Sequence, residues 1–317
     1  MMPNWEERRL LVKVAQMYYE DDMTQNEIAK EVGIYRTTIG RMLKKARKEG
    51  IVQIHIDSTS YETFELETKL QKTFLLKDVI VVPDMDNESD EKRRSDLGLA
   101  TLELLNRIIK EDDTIGFTWG RTMGSMIDRP VDYKPRKADF VPLVGGPGTL
   151  DSKYHVNTII YNVAKAFGAT SHFIDAAAVV EKKETKEDII NSNYFKKILD
   201  MWKNINIAVV GIGAPLASSN MIWTGFYGNK EIDELNNLNA VGDICSRFYD
   251  INGVLVESDV TERTVAVELD RLKEIEYSIG VAESENKVPS ILGALRGKYI
   301  NVLITNESTA ERLIEQI

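Results

Sequence analysis

The sequence predicts an α/β protein preceded by a small helical module, and three observations carry that expectation. From residue 78 onward, short runs rich in valine and isoleucine alternate with segments of helical periodicity, which implies a mostly parallel sheet covered by helices. Residues 24–49, TQNEIAKEVGIYRTTIGRMLKKARKE, read instead as a helix, a glycine turn and a basic helix. The charge divides at the same place: residues 1–57 hold ten Lys/Arg against nine Asp/Glu, while the remainder holds 30 against 41. At 317 residues and 43% hydrophobic content, the chain is long enough for two domains with their own cores, at 1–57 and 58–317.

A first helix is expected over about 5–20, with Leu10, Leu11, Val14, Met17 and Tyr18 as its apolar stripe. In the second helix Ile28, Ala29 and Val32 recur at helical spacing. Gly33 follows, where a sharp inter-helix turn needs a positive φ. Ile34, Ile39 and Met42 give the third helix its inward face. Past Gly50 the alternating run IVQIHID suits a short strand or wing. Residues 58–76 read as a helix capped at Ser58 or Thr59 and bearing Phe64, Leu70 and Phe74; with residue 77 they form a linker that is also a candidate dimer contact.

Strands are expected at 78–83, 114–119, 139–144, 206–211, 276–282 and 301–305. Helices fall between them at about 91–110, 153–168, 194–204, 287–296 and 307–316, and residues 84–92 form a charged loop. A hairpin interrupts the alternation, with ICSRFYD as one strand, Ile251-Asn252-Gly253 as the turn and VLVESD as the other strand.

Residues 36–48 carry six cations and no anion. A basic helix in this setting is the second helix of a helix-turn-helix, the one that enters the DNA major groove. Arg36, Thr37, Thr38 and Arg41 would face base edges, while Lys44, Lys45 and Lys48 would grip phosphates. Thr24, Gln25 and Tyr35 complete the candidate contacts with double-stranded DNA. The blander alternative is a helical hairpin whose basic face is merely solvated. The acidic remainder, with a net charge of −11, repels DNA and confines contact to the basic helix. One such module makes few contacts, so useful affinity calls for a homo-oligomer on paired half-sites.

A single cysteine, Cys245, excludes an intramolecular disulfide and fits a reducing cytoplasm. The N-terminal MMPNWEERR lacks the apolar run of a signal peptide, and no stretch reaches the length of a membrane span. Three scattered histidines, His55, His155 and His172, assemble no zinc or haem spacing, so neither metal nor cofactor is expected.

In open α/β sheets, ligands sit beyond the carboxyl ends of the strands. Three such junctions carry glycine. Thr118-Trp119-Gly120-Arg121-Thr122-Met123 runs from a strand into a short helix; Thr118, Arg121 and Thr122 offer donors suited to a phosphate, or the segment is a plain turn around a buried Trp119. Gly145-Gly146-Pro147-Gly148 is either a ligand floor or a flexible turn. Gly211-Ile212-Gly213-Ala214-Pro215 lacks the full GxGxxG spacing of a dinucleotide site. Asp243 suits sugar hydroxyls or a hairpin cap, and Lys287 either meets an anion over the sheet edge or is solvated.

Taken in order, the helix-turn-helix, TWGRTM, PLVGG, GIGAP, AVGDICSRFYDINGV, Lys287 and LRGKYINVLIT resemble the SorC family of bacterial regulators over nearly the whole chain. The resemblance implies an effector domain of the NagB/RpiA/CoA-transferase-like, Rossmann-like type, dimers or tetramers, and repression of a carbohydrate or nucleoside catabolic operon relieved by a phosphorylated sugar. An activator would share this architecture. By position it makes Gly120, Arg121 and Thr122 the phosphate loop and Gly145 and Gly146 the pocket floor. Asp243 becomes the sugar-hydroxyl partner and Lys287 the phosphate-side cation. Two positions depart from the family pattern. Val144 stands where the deoxyribose-phosphate-sensing member has a Schiff-base lysine. Ala282-Glu283-Ser284-Glu285-Asn286 replaces a glycine-rich turn. A sugar-phosphate enzyme is the competing class, but no compact carboxylate or histidine constellation supplies its acid–base pair.

Overall fold

The computed structural model describes residues 5–53, 63–85, 87–129, 131–148, 151–214 and 228–317. It divides into two units, Met1–Ser60 and Tyr61–Ile317. The expected cap at Ser58 or Thr59, the later part of IVQIHID and Pro215 lie outside the described residues.

The described residues of the first unit hold three helices, α1 (Trp5–Tyr19), α2 (Gln25–Val32) and α3 (Arg36–Lys48). Thr24 starts α2 through a capping box: its hydroxyl accepts the Glu27 N–H at 3.4 Å, and the Glu27 carboxylate accepts the Thr24 N–H at 2.8 Å. Gly33 ends it in the left-handed region at φ 76°, donating its N–H to Ala29 O at 3.0 Å. Val14, Met17, Ile28, Ile39 and Leu43 meet in the core. Ile34 and Met42 pack against this core partly buried, as expected, and the helical period adds Leu43 and Ala46, which the sequence reading left out, to Ile39 as the buried residues of α3. The chain then turns at Gly50 (φ 70°), and Ile51–Gln53 are not a strand, contrary to the expectation for the start of IVQIHID.

The second unit begins with α4 (Thr63–Phe74) and is built on a seven-stranded, wholly parallel sheet. Its early strands are β1 (Asp78–Val82), β2 (Thr114–Phe117), β3 (Asp139–Pro142), β4 (Thr170–Ser171) and β5 (Ile207–Gly211). A small antiparallel sheet follows, of β6 (Gly242–Ile244), β7 (Arg247–Tyr249) and β8 (Leu255–Val256). The chain then returns to the large sheet with β9 (Tyr277–Val281) and β10 (Val302–Asn306), giving the order β1-β10-β9-β5-β2-β3-β4. From β2 the chain builds outward through β3 and β4, then crosses back to lay β5 on the other side of β2. That reversal is a topological switch point.

Between the strands run α5 (Asp90–Ile108), α6 (Arg121–Gly124), α7 (Val156–Ala166), α8 (Lys183–Asn191), α9 (Asn193–Lys203), α10 (Asn229–Asn237), α11 (Asp259–Glu262), α12 (Leu269–Leu272), α13 (Val288–Arg296) and α14 (Glu307–Glu315). Alternation along the strands makes two cores. Val79, Val81, Val210 and Leu303 face α4, α9, α13 and α14, while Ile207, Val209, Val302 and Ile304 face α5 and α7. Two features escaped the sequence reading. The polar runs KETKEDIIN and NKEIDELNN are helices α8 and α10. ICSRFYD is not one strand but two, divided by a turn at Cys245 (φ 56°) and Ser246 (φ 60°).

Candidate functional site

Two surfaces carry the chemistry, one in each unit. In α3, Ile39, Leu43 and Ala46 are buried, so Arg36, Thr37, Arg41, Lys44 and Lys48 point to solvent. Tyr35, the residue before α3, is 84% exposed. Thr38 and Gln25 are half-buried. The structure gives two of the expected contacts other work. The Thr24 hydroxyl serves the capping box of α2. The Lys45 ammonium pairs with Glu7 of α1 and, at 3.7 Å, with Glu49.

In the second unit a pocket opens at the carboxyl ends of β2 and β5, at the switch point of the sheet. Residues 118–123 line one side and Gly211, Ile212 and Gly213 another; Val144, Asp243, Cys245, Ser246 and Lys287 complete the described lining. Local chemistry explains why the chain converges here. Gly120 adopts φ 131°, ψ 174°, a conformation open to glycine alone, and this turns β2 into α6. The Thr118 hydroxyl accepts the Gly211 N–H at 2.9 Å, joining the two strand ends. Gly213 and Asp243 exchange backbone hydrogen bonds of 2.9 and 3.1 Å. A Cβ on Gly213 would stand 2.0 Å from Asp243 Oδ1, so only glycine lets that carboxylate pass. Cys245 and Ser246 form the two-residue turn between β6 and β7; both have positive φ, the geometry that matches the twist of a tight hairpin.

Burial pushes the Asp243 carboxyl up to about 6, against the charge of Lys287 and a hydrogen bond from the Ser246 N–H. Burial likewise pushes the Lys287 ammonium down, opposed by Glu283 and Asp243 and reinforced by Arg94. The Cys245 thiol is pushed up by burial, which leaves it an inert wall of the pocket. The lining thus sets an ammonium and the Arg121 side chain in the same cavity as a carboxylate. Such a set can hold a molecule that carries both an anionic group and hydroxyls.

Comparison with known proteins places this geometry. Residues 58–315 match the family described as "Putative sugar-binding domain", and residues 16–53 match winged helix-turn-helix DNA-binding. The sorbitol operon regulator of Klebsiella pneumoniae is 44% identical over 99% of this chain and all of its own. The crystal structure of that full-length regulator superposes with a TM-score of 0.77, covering 96% of this chain and 98% of the other. The deoxyribonucleoside regulator of Bacillus subtilis is 31% identical over 98% of this chain and 99% of its own. The chain belongs to the SorC family. As a SorC-family protein it is a DNA-binding transcriptional regulator with a sugar-binding domain, not an enzyme. Among its described residues no helix is long and apolar enough to cross a membrane.

In this SorC-family chain, Thr118, Gly120, Arg121, Thr122, Gly211, Gly213, Asp243 and Lys287 meet in the pocket. Gly145 and Gly146, expected at its floor, are not among the described lining residues. A Cβ on Gly145 would lie 2.4 Å from Ala177 O, and one on Gly146 would lie 2.4 Å from His155 Nε2, so both glycines are there for packing. Their neighbour Val144 lines the cavity instead and presents an isopropyl group with no amine for covalent capture. Trp119, Met123, Ile212, Cys245 and Ser246 are further lining residues outside the sequence-based set. A break in the apolar/polar alternation of ICSRFYD at Cys245-Ser246 was the one available sign of the last two.

Proposed function

We propose that this SorC-family regulator represses a carbohydrate or nucleoside catabolic operon and leaves its operator when a phosphorylated sugar fills the pocket. The observation that carries this reading is the convergence of Lys287, Arg121 and Asp243 on one cavity at the switch point. Lys287 and Arg121 supply cations for a phosphate, and Asp243 supplies an acceptor for sugar hydroxyls. Relatives named as a sorbitol operon regulator and a deoxyribonucleoside regulator support a carbohydrate or nucleoside operon as the target. Arg36, Thr37, Thr38 and Arg41 read the operator, and Tyr35, Lys44 and Lys48 hold its backbone. A homodimer or homotetramer places two such helices on paired half-sites. The ligand releases DNA by binding the operator-free arrangement more tightly, which shifts the population away from the bound form.

Thermal-shift screening against phosphorylated and free pentoses, hexoses and hexitols tests this reading, with operator release measured alongside. A phosphorylated compound should raise the melting temperature of the wild type and free the operator, and Lys287→Ala should lose most of both responses. If the panel's phosphorylated members leave the wild type unmoved, the phosphate assignment fails.

A further inference from the structure

The acidic turn that follows β9 contains two carboxylates in different situations. Glu285 is exposed and pairs with Arg312 at 3.1 Å. Glu283 is only 7% exposed, and its carboxylate lies 3.7 Å from Nη1 of both Arg93 and Arg94, in the first turns of α5. Arg93 is shared with Asp84 at 3.4 Å and Asp90 at 3.2 Å. Ser125 Oγ is 2.6 Å from both the Arg94 and the Thr122 carbonyl oxygens, which holds the start of α5 beside α6. Gly98 permits that approach, since a Cβ there would lie 2.8 Å from Met126 N.

Glu283 is also fixed in direction. The next residue, Ser284, is held at φ 108°, and its N–H donates to Thr309 Oγ1 at 2.9 Å. Lys287 closes the same turn, its N–H donating to Ser284 O at 3.0 Å, and both Glu283 and Arg94 act on its ammonium.

We propose that Glu283 is a specificity-determining residue: its buried carboxylate, held by Arg93 and Arg94 in the turn that leads to Lys287, offsets the charge that Lys287 brings to the pocket and so weakens the hold on a phosphate dianion. The proposal rests on the phosphate reading of the same pocket. A fixed negative charge beside an anion site repels the ligand's own charge, and in a partly buried setting little salt screens it. Specificity gained through such a repulsive element favours ligands that also satisfy the hydroxyl side at Asp243 over free inorganic phosphate.

Titration of inorganic phosphate into the full chain by calorimetry at constant ionic strength tests this. Glu283→Gln should bind phosphate about tenfold more tightly than the wild type, and Arg94→Gln about tenfold more weakly. Glu283→Asp, which keeps the charge, should stay close to the wild type. A role limited to holding the turn would weaken binding in both glutamine variants, so the opposite signs decide. Equal or weaker binding by Glu283→Gln overturns the proposal, as does an unchanged affinity in Arg94→Gln. A phosphate site detectable only in Glu283→Gln supports it, and no binding in wild type or variant overturns it. Lys287→Ala separates the two readings. If it binds phosphate as the wild type does, the Lys287 assignment has failed, whatever the Glu283 variants do.

Discussion

At the scale of single residues, Asp243 is the group whose chemistry the structure changes most. Its ordinary value is 3.8 and burial lifts it to about 6, so between those limits the folded chain holds a proton that the unfolded chain has released. The resulting contribution to stability is fully present below 3.8 and is lost as pH rises through about 6. Asp243→Asn should therefore flatten the pH dependence of the melting temperature across that window; a retained slope would place the titration elsewhere. The polar and charged pocket residues were legible in sequence because junction position and polar chemistry coincide at Thr118, Arg121, Asp243 and Lys287. The apolar lining was not, because Trp119, Met123, Val144 and Ile212 differ in no sequence property from core residues. The packing duties of glycines were hidden for a related reason. Gly145 and Gly146 answer to Ala177 and His155, neighbours brought in from elsewhere in the chain.

At the scale of elements, the alternating pattern placed the longer strands of the large sheet within a residue or two, since each is a compact apolar run between charged segments. The misses have physical causes. Helices α8 and α10 are mostly polar, so the apolar positions that would mark them as helices are few. β4 has two residues, too few to show any period. The junction of β5 with β6 gives a prediction at this scale. Gly213→Ala would drive a methyl group into Asp243 Oδ1, so either the carboxylate or the bridge between these segments must move. The variant should lose most of its thermal response to the effector while holding operator DNA as the wild type does. Undiminished ligand stabilisation would show that Asp243 has no part in binding.

At the scale of the whole molecule, charge separates the roles of the lysines. The chain carries a net −10, and the excess of acid lies beyond residue 57, so the few exposed cations of α3 dominate any contact with DNA. Lys44→Ala should weaken binding to all sequences alike and lower the salt slope by about one. Arg36→Ala should alter base preference, and a uniform loss would count against it as a reader. Lys45→Ala should change the salt slope less than Lys44→Ala, because its ammonium already faces Glu7 and Glu49. Equal slopes for the two lysine variants would show that Lys45 leaves those partners for phosphate. The switch point has a consequence of a different kind. Its walls at Thr118 and Gly211 touch in space but stand 93 positions apart along the chain, with β3, β4, α7, α8 and α9 strung between them. A molecule that contacts both walls binds only the folded arrangement that joins them, so its occupancy protects the whole intervening segment against unfolding.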